Sequence, residues 1–268
     1  MTQLPPVGIG TWENTDPDAC TNAVETALEM GYRHVDTAEA YGNEEHVGEG
    51  IARASVDRED VFLATKVHYE STGVAYDEVV ETAHGSLDRL GVEYLDLLYV
   101  HWPLGNYDPE DTLSAFDDLV AAGVTRNVGV SNFEPRQVET AIDVLDEPLF
   151  ANQVEMHPLL QQDDLVNHAQ EHDYYLVAYS PLARGDVFDV PEIQDVAAKH
   201  GVSEAQVSLA WLREKENVVA IPKATTEDHI ADNWASLDLS LDEEDLTAIN
   251  GIEREDRHVE YDDAPWNQ

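Results

Sequence analysis

Lysine is nearly missing from this chain. There are four, Lys66, Lys199, Lys215 and Lys223, and Lys plus Arg total 14 against 56 Asp plus Glu, a formal net charge of -42. Such a chain repels polyanions, which excludes a nucleic-acid-binding surface. It also repels itself, so a compact state needs counterions to screen it; at about 1 M salt the screening length falls to roughly 3 Å. A halophilic source is the expectation, and an acidic protein of ordinary cytoplasm is the alternative. Cysteine occurs once, at Cys20, which excludes an intrachain disulfide. The opening MTQLPPVGIGTW has neither the basic nor the apolar region of a secretion signal. No apolar run reaches the roughly 20 residues of a membrane span. A soluble, cytoplasmic, monomeric protein with no nucleic-acid or membrane partner is therefore expected.

What is present is alternation. Short β-rich apolar runs fall at 7–10, 33–36, 61–67, 95–101, 125–131, 152–156, 174–180 and 218–222. Between and after them lie amphipathic, helix-like segments at 17–30, 43–54, 77–90, 109–122, 134–145, 161–172, 191–216 (broken near Gly201) and 227–237. Strict strand and helix alternation implies parallel strands with helical crossovers, and eight such units in 268 residues fit a single-domain (β/α)8 TIM barrel over 1–268. A doubly wound sheet is the runner-up. In a barrel, chemistry collects where strands end, because the following loops converge on one face.

The polar residues at those ends include Asp36, Lys66, His68, His101, Ser131, Asn132, Gln153, Glu155, Tyr179, Ser180 and Lys223, with Tyr41 in the turn beyond Asp36. Lys66 closes the run VFLAT, so its ammonium needs a counter-charge, and Asp36 is the obvious partner. Each residue alone has a plain reading: an ion pair closing the barrel top, a hydrogen-bonded histidine, a loop aromatic. Together they form a proton donor for a carbonyl oxygen. A phenol can serve as general acid, a lysine cation stabilises the phenolate it becomes, a carboxylate holds that lysine, and a histidine orients the oxygen.

These residues resemble the aldo-keto reductases. The resemblance runs through VGIGTW, HVDTAEAYGNE, TKV, HWP, GVSNF, NQVEMHP, AYSPL and IPK, in family order, to about residue 235. It implies a (β/α)8 barrel, an extended nicotinamide dinucleotide across the strands' C-terminal ends, and hydride transfer to an aldehyde or ketone. The catalytic four carry over onto Asp36, Tyr41, Lys66 and His101. Ser131, Asn132 and Gln153 match positions that bond the nicotinamide carboxamide, and Tyr179 the ring stacked on it; Ser131 and Asn132 could alternatively cap the helix near Glu134. Ser180, Leu182 and Arg184 match the loop over the pyrophosphate. Lys223, Thr226, His229 and Asn233 match the adenosine end. There the usual IPKS reads IPKA, and His229 stands where arginine is common, so a 2'-phosphate loses a bidentate partner. NADPH is the expected cofactor, with NADH usable.

Trp12 and Trp102 are expected to wall an apolar substrate pocket, left open and shallow by the short segment after His101 and the short C-terminal tail, in which Trp266 could fold over it. Two rivals fit worse. Neither Gly8-Ile9-Gly10 nor Gly48-Glu49-Gly50 completes a dinucleotide fingerprint. A metal site from His34, Asp36, His68 and His101 would have to accommodate the Lys66 cation, and no zinc-type spacing appears, so no metal is expected. A regulatory or redox-sensing subunit on the same barrel is the alternative to an enzyme.

Overall fold

The computed structural model describes residues 4–267. Eight parallel strands run in chain order: β1 Ile9–Gly10, β2 His34–Asp36, β3 Phe62–Val67, β4 Leu97–Val100, β5 Val128–Ser131, β6 Leu149–Glu155, β7 Tyr175–Tyr179 and β8 Val218–Ala220. Parallel bridges Val7–Ala220 and Gly10–Lys223 return β8 to β1 and close the barrel. Close packing explains the first glycine pair, at the closure for Gly10 and against β2 for Gly8. A Cβ on Gly10 would stand 2.7 Å from the Ile221 carbonyl oxygen, and one on Gly8 would stand 2.6 Å from His34 Nδ1. In the second pair, a Cβ on Gly50 would stand 2.7 Å from the Thr21 carbonyl oxygen. Both pairs are close-packing glycines.

Among the described residues ten α-helices surround the strands: α1 Pro17–Met30, α2 Glu44–Arg53, α3 Tyr76–Leu90, α4 Pro109–Ala121, α5 Pro135–Val144, α6 Asp163–His172, α7 Pro191–His200, α8 Glu204–Arg213, α9 Glu227–Ala235 and α10 Glu243–Asn250. Their starts follow local chemistry. Asp16 and Asp108 cap α1 and α4 from just before a proline whose missing N–H costs nothing at that position. The expected break at Gly201 is a left-handed glycine (φ 69°) that ends α7, and Ser203 caps α8.

Two apolar layers result. Leu4, Phe62, Ala64, Leu97, Tyr99, Phe150, Ala151, Val177, Val219 and Ile221 fill the barrel interior. A larger layer of Val, Leu, Ile and Ala lies between strands and helices. The interior plug blocks the lower barrel, so polar chemistry is confined to the upper strand ends. Strand bounds differ from the sequence expectation most at β6, which starts at Leu149 because 149–151 already pair with β5 and β7 across an irregularity at Val128/Gly129. Beyond α10 the tail returns to the barrel mouth, where Asp256 N–H donates to the Leu159 carbonyl at 2.8 Å. Among the described residues no helix is long and apolar enough to cross a membrane.

Candidate active site

Strands β2, β3 and β4 bring Asp36, Lys66 and His101 to one mouth, and a single 3-10 turn, Glu39–Tyr41, returns Tyr41 over them. Lys66 Nζ donates to Asp36 Oδ1 at 2.5 Å and to the Thr37 carbonyl at 2.7 Å, with no solvent exposure. The same ammonium lies 5.3 Å from the centre of the Tyr41 ring. The His101 ring stands edge-on to Tyr41 at 5.8 Å. All four predicted catalytic residues are thus brought together.

Burial sets their charges. It pushes the Asp36 carboxyl up and the Lys66 ammonium down, while the opposite charge of each pulls the other back. His101 is held well below its ordinary value by burial, by the Lys66 cation and by His68, so its imidazole is neutral. Tyr41 differs from the sequence expectation of a lysine-lowered phenol: burial, with the Asp36 charge, raises it well above its ordinary value. The phenol is therefore held protonated, the state a proton donor needs, and the lysine's part is to meet the negative charge once the proton leaves.

Behind this group is a fixed polar network. Gln153 Nε2 donates to Asp36 Oδ2 at 2.7 Å, Ser131 Oγ to the Gln153 carbonyl at 2.8 Å, Asn132 Nδ2 to the His101 carbonyl at 3.1 Å, and Tyr179 O–H to Asn132 Oδ1 at 2.8 Å. The helix-capping alternative for Ser131 and Asn132 fails, because the N-cap of α5 is Glu134. A cavity of about 730 Å³ opens above the network. Asp36, Tyr41, His101, Ser131, Asn132, Gln153, Tyr179, Ser180, Leu182, Arg184, Lys223, Trp12 and Trp102 all line it. Lys66 is reached only through its partners.

Three predicted residues are not brought to the cavity: Thr226, His229 and Asn233, which lie beyond Lys223 at and within α9. The Thr226 hydroxyl accepts the His229 N–H as the helix cap, and Asn233 is buried. The His and carboxylate groups that lie close together among the described residues are Glu155, His157, His258 and Asp186, Asp256, His258.

Sequence reasoning gave no role to Glu155, Val259, Tyr261 or His68. Glu155 is buried and its oxygens accept the N–H groups of His258 and Val259, both at 2.8 Å, and a bond from His157 Nε2 at 3.0 Å. Those bonds pin the tail so that Val259 and Tyr261 line the cavity, with Tyr261 edge-on to Trp102 at 5.4 Å. The tail therefore makes a wall, where a more open pocket was expected. Trp266 leans on Trp102 at 5.7 Å and is outside the lining. A buried glutamate at a strand end, and an aromatic-rich tail, were the available signals.

A family model described as the Aldo/keto reductase family matches residues 6–254. The chain belongs to the aldo/keto reductase family. It is 40% identical to an aldo-keto reductase of Mycobacterium sp. (strain KMS), over 93% of this chain and 90% of that one. It is 36% identical to a glyoxal reductase of Bacillus subtilis (strain 168), covering 95% and 91%. Among solved structures, an aldo-keto reductase from a Medee basin deep-sea metagenome library superposes with a TM-score of 0.88 at 36% identity, covering 97% of each chain. The aldose reductase of Schistosoma japonicum superposes at 0.90 with 29% identity, covering 99% of this chain and 94% of that one. This aldo-keto reductase is an oxidoreductase with the family's (β/α)8 barrel. Its cavity suits a nicotinamide cofactor: a tyrosine ring (Tyr179) and a hydroxyl and two amides (Ser131, Asn132, Gln153) line it near Tyr41, and exposed Arg184 and Lys223 line it too.

Proposed function

We propose that this protein reduces aldehydes or ketones to alcohols, with NADPH as the preferred cofactor and NADH usable. The observation that carries this reading is the buried Lys66–Asp36 pair under the Tyr41 ring, beside a neutral His101. When bound, the reduced nicotinamide supplies the hydride. Tyr41 donates its proton to the carbonyl oxygen, His101 orients that oxygen, and Lys66 stabilises the phenolate left behind. Asp36 keeps the ammonium in place, with Gln153 holding its second oxygen. Trp12, Trp102 and Tyr261 supply the aromatic walls of the substrate end of the cavity.

Support for NADPH is narrower. Lys223 is exposed on the cavity's lining and has no carboxylate within ion-pair distance among the described residues, so it is available to a 2'-phosphate. Ser180, Leu182 and Arg184 are read as the cover of the pyrophosphate, and Thr226, His229 and Asn233 as the adenosine surround. The enzyme is further read as a cytoplasmic monomer from a salt-rich cell. Its charge of -42 carries the last point, and its melting temperature should climb as KCl rises from about 0.1 M to 2 M; a flat or falling series would refute salt adaptation.

A panel of carbonyl compounds assayed with NADPH and NADH at high salt tests the activity. Turnover of several small aldehydes supports it. Nucleotide binding, seen as fluorescence quenching, with no turnover of any of them would instead identify a regulatory subunit.

A further inference from the structure

The buried latch between tail and barrel carries more donor atoms than a latch needs. Glu155 ends β6, His157 follows in the loop, and His258 reaches them from the C-terminal tail, 103 positions beyond Glu155. The side chains of Glu155 and His157 have no solvent exposure, and that of His258 has 17%. Each imidazole keeps a buried nitrogen, His157 Nδ1 and His258 Nε2, with no hydrogen-bond partner among the described residues. Buried polar atoms are normally paired, so two orphans side by side, in rings 5.5 Å apart, call for a partner. Among the described residues Glu155 has no Lys or Arg within ion-pair distance. Its carboxylate is met by His157 Nε2 at 3.0 Å and by the two tail N–H groups.

One oxygen of Glu155 and one nitrogen of each histidine lie within 4.8 Å of one another. An ion with bonds of about 2.0 to 2.2 Å joins three such atoms after small rotations of the rings. Two imidazoles and a carboxylate are a zinc-type donor set, and the nitrogens select against Mg2+ and Ca2+. The N–H groups already bonded to Glu155 hold the carboxylate in place, as outer partners do in metal sites. On the solvent side, His258 Nε2 lies 3.7 Å from Asp186 Oδ2, and Asp256 belongs to the same cluster. Arg254 already pairs with Asp186 at 3.5 Å and Asp256 at 2.7 Å, so these part-exposed carboxylates are an outer layer that attracts cations, not the ligand set. The sequence expectation of no metal concerned the strand ends around Lys66. Glu155, His157 and His258 lie outside that group and outside the cavity lining.

We propose that Glu155, His157 and His258 bind one divalent transition-metal ion of the zinc type, which ties the tail to the barrel. Val259, next to His258, and Tyr261 line the cavity, so the ion fixes one of its walls. Binding releases any proton from the ligating nitrogens and changes no oxidation state.

Zinc titration of the EDTA-treated full chain in about 2 M KCl, where diffuse attraction to the acidic surface is screened, tests this. Calorimetry should give one Zn2+ per chain. The melting temperature should rise by on the order of 5 °C at a hundredfold excess over Kd, with Mg2+ at the same concentration having no such effect. His258→Gln, at a part-exposed position, should weaken zinc binding by about 100-fold or more. His168→Gln, at the stacked His168–His172 pair on α6, should leave it unchanged. Zinc should also slow hydrogen exchange at the Val259 N–H in wild type and not in His258→Gln. Absence of zinc binding, equal stabilisation by Mg2+, or zinc binding that survives His258→Gln would overturn the proposal. None of these readouts needs turnover, so the reductase reading stands or falls separately.

Discussion

The two ends of the cavity differ in how their polar groups are held. Around Tyr41, the side chains of Asp36, Lys66, Ser131, Asn132 and Gln153 are buried and each is tied by at least one hydrogen bond. Around Lys223, the side chains of Lys223, Thr226, Glu227, Asp228 and His229 are exposed. The difference teaches where each kind of free energy resides. Proton transfer needs charges fixed in advance in a water-poor setting, so the reacting end is costly to disturb. A cofactor's outer phosphate needs only a contact partner in solvent, and what lies around it is screened by salt.

Exchange of Lys66 for Met should show the largest effect. It leaves Asp36 buried without a counter-charge, a change that typically costs about 3 to 5 kcal/mol of stability, and it removes the cation facing the phenolate. Urea melts and steady-state reduction should both register the loss; an unaltered denaturation midpoint would mean that the pair is not a buried unit. Lys223→Met, at the other end, should leave stability alone and lower the NADPH over NADH preference by about tenfold, or about 1.4 kcal/mol. His229→Arg should widen that preference. If Lys223→Met leaves the ratio unchanged, the phosphate contact lies elsewhere.

The smallest effect is expected from pH. Tyr41 is raised and His101 lowered, so neither ionises between about pH 6.5 and 9 and the reduction rate should be level there. Stability behaves differently on the acid side. His34 is fully buried, neither ring nitrogen has a hydrogen-bond partner, and burial lowers it to about 3. The unfolded chain takes up that proton near pH 6.5 and the folded chain does not, so the contribution is complete above about 6.5 and is lost as pH falls toward 3. His34→Leu should flatten that part of the stability profile, and an unchanged slope would show that other groups set it.

Much of the reacting end was legible because strand ends in a barrel converge, so the residues Asp36, Lys66, His101, Ser131 and Gln153 could be brought together without knowing a single distance. Tyr41 was legible through the turn that follows Asp36. The direction of its pKa was not, since burial is a property of the assembled mouth and the lysine's proximity alone pointed the other way. The Glu155 latch joins residues 103 and 104 positions apart in sequence, and nothing in local periodicity announces it. The glycine pairs were legible as poor phosphate loops; their actual use, letting Gly10 meet the chain after β8, Gly8 meet His34 on β2, and α2 meet α3 at Gly48 and α1 at Gly50, depends on neighbours that only the fold supplies.

The central claim is that the tied-down end does the chemistry through the Tyr41 proton. Single-turnover reduction by Tyr41→Phe, with NADPH affinity measured on the same sample, tests it most directly. The account predicts a rate lower by on the order of 10²-fold or more with cofactor affinity retained. A near-normal rate with retained affinity would contradict it.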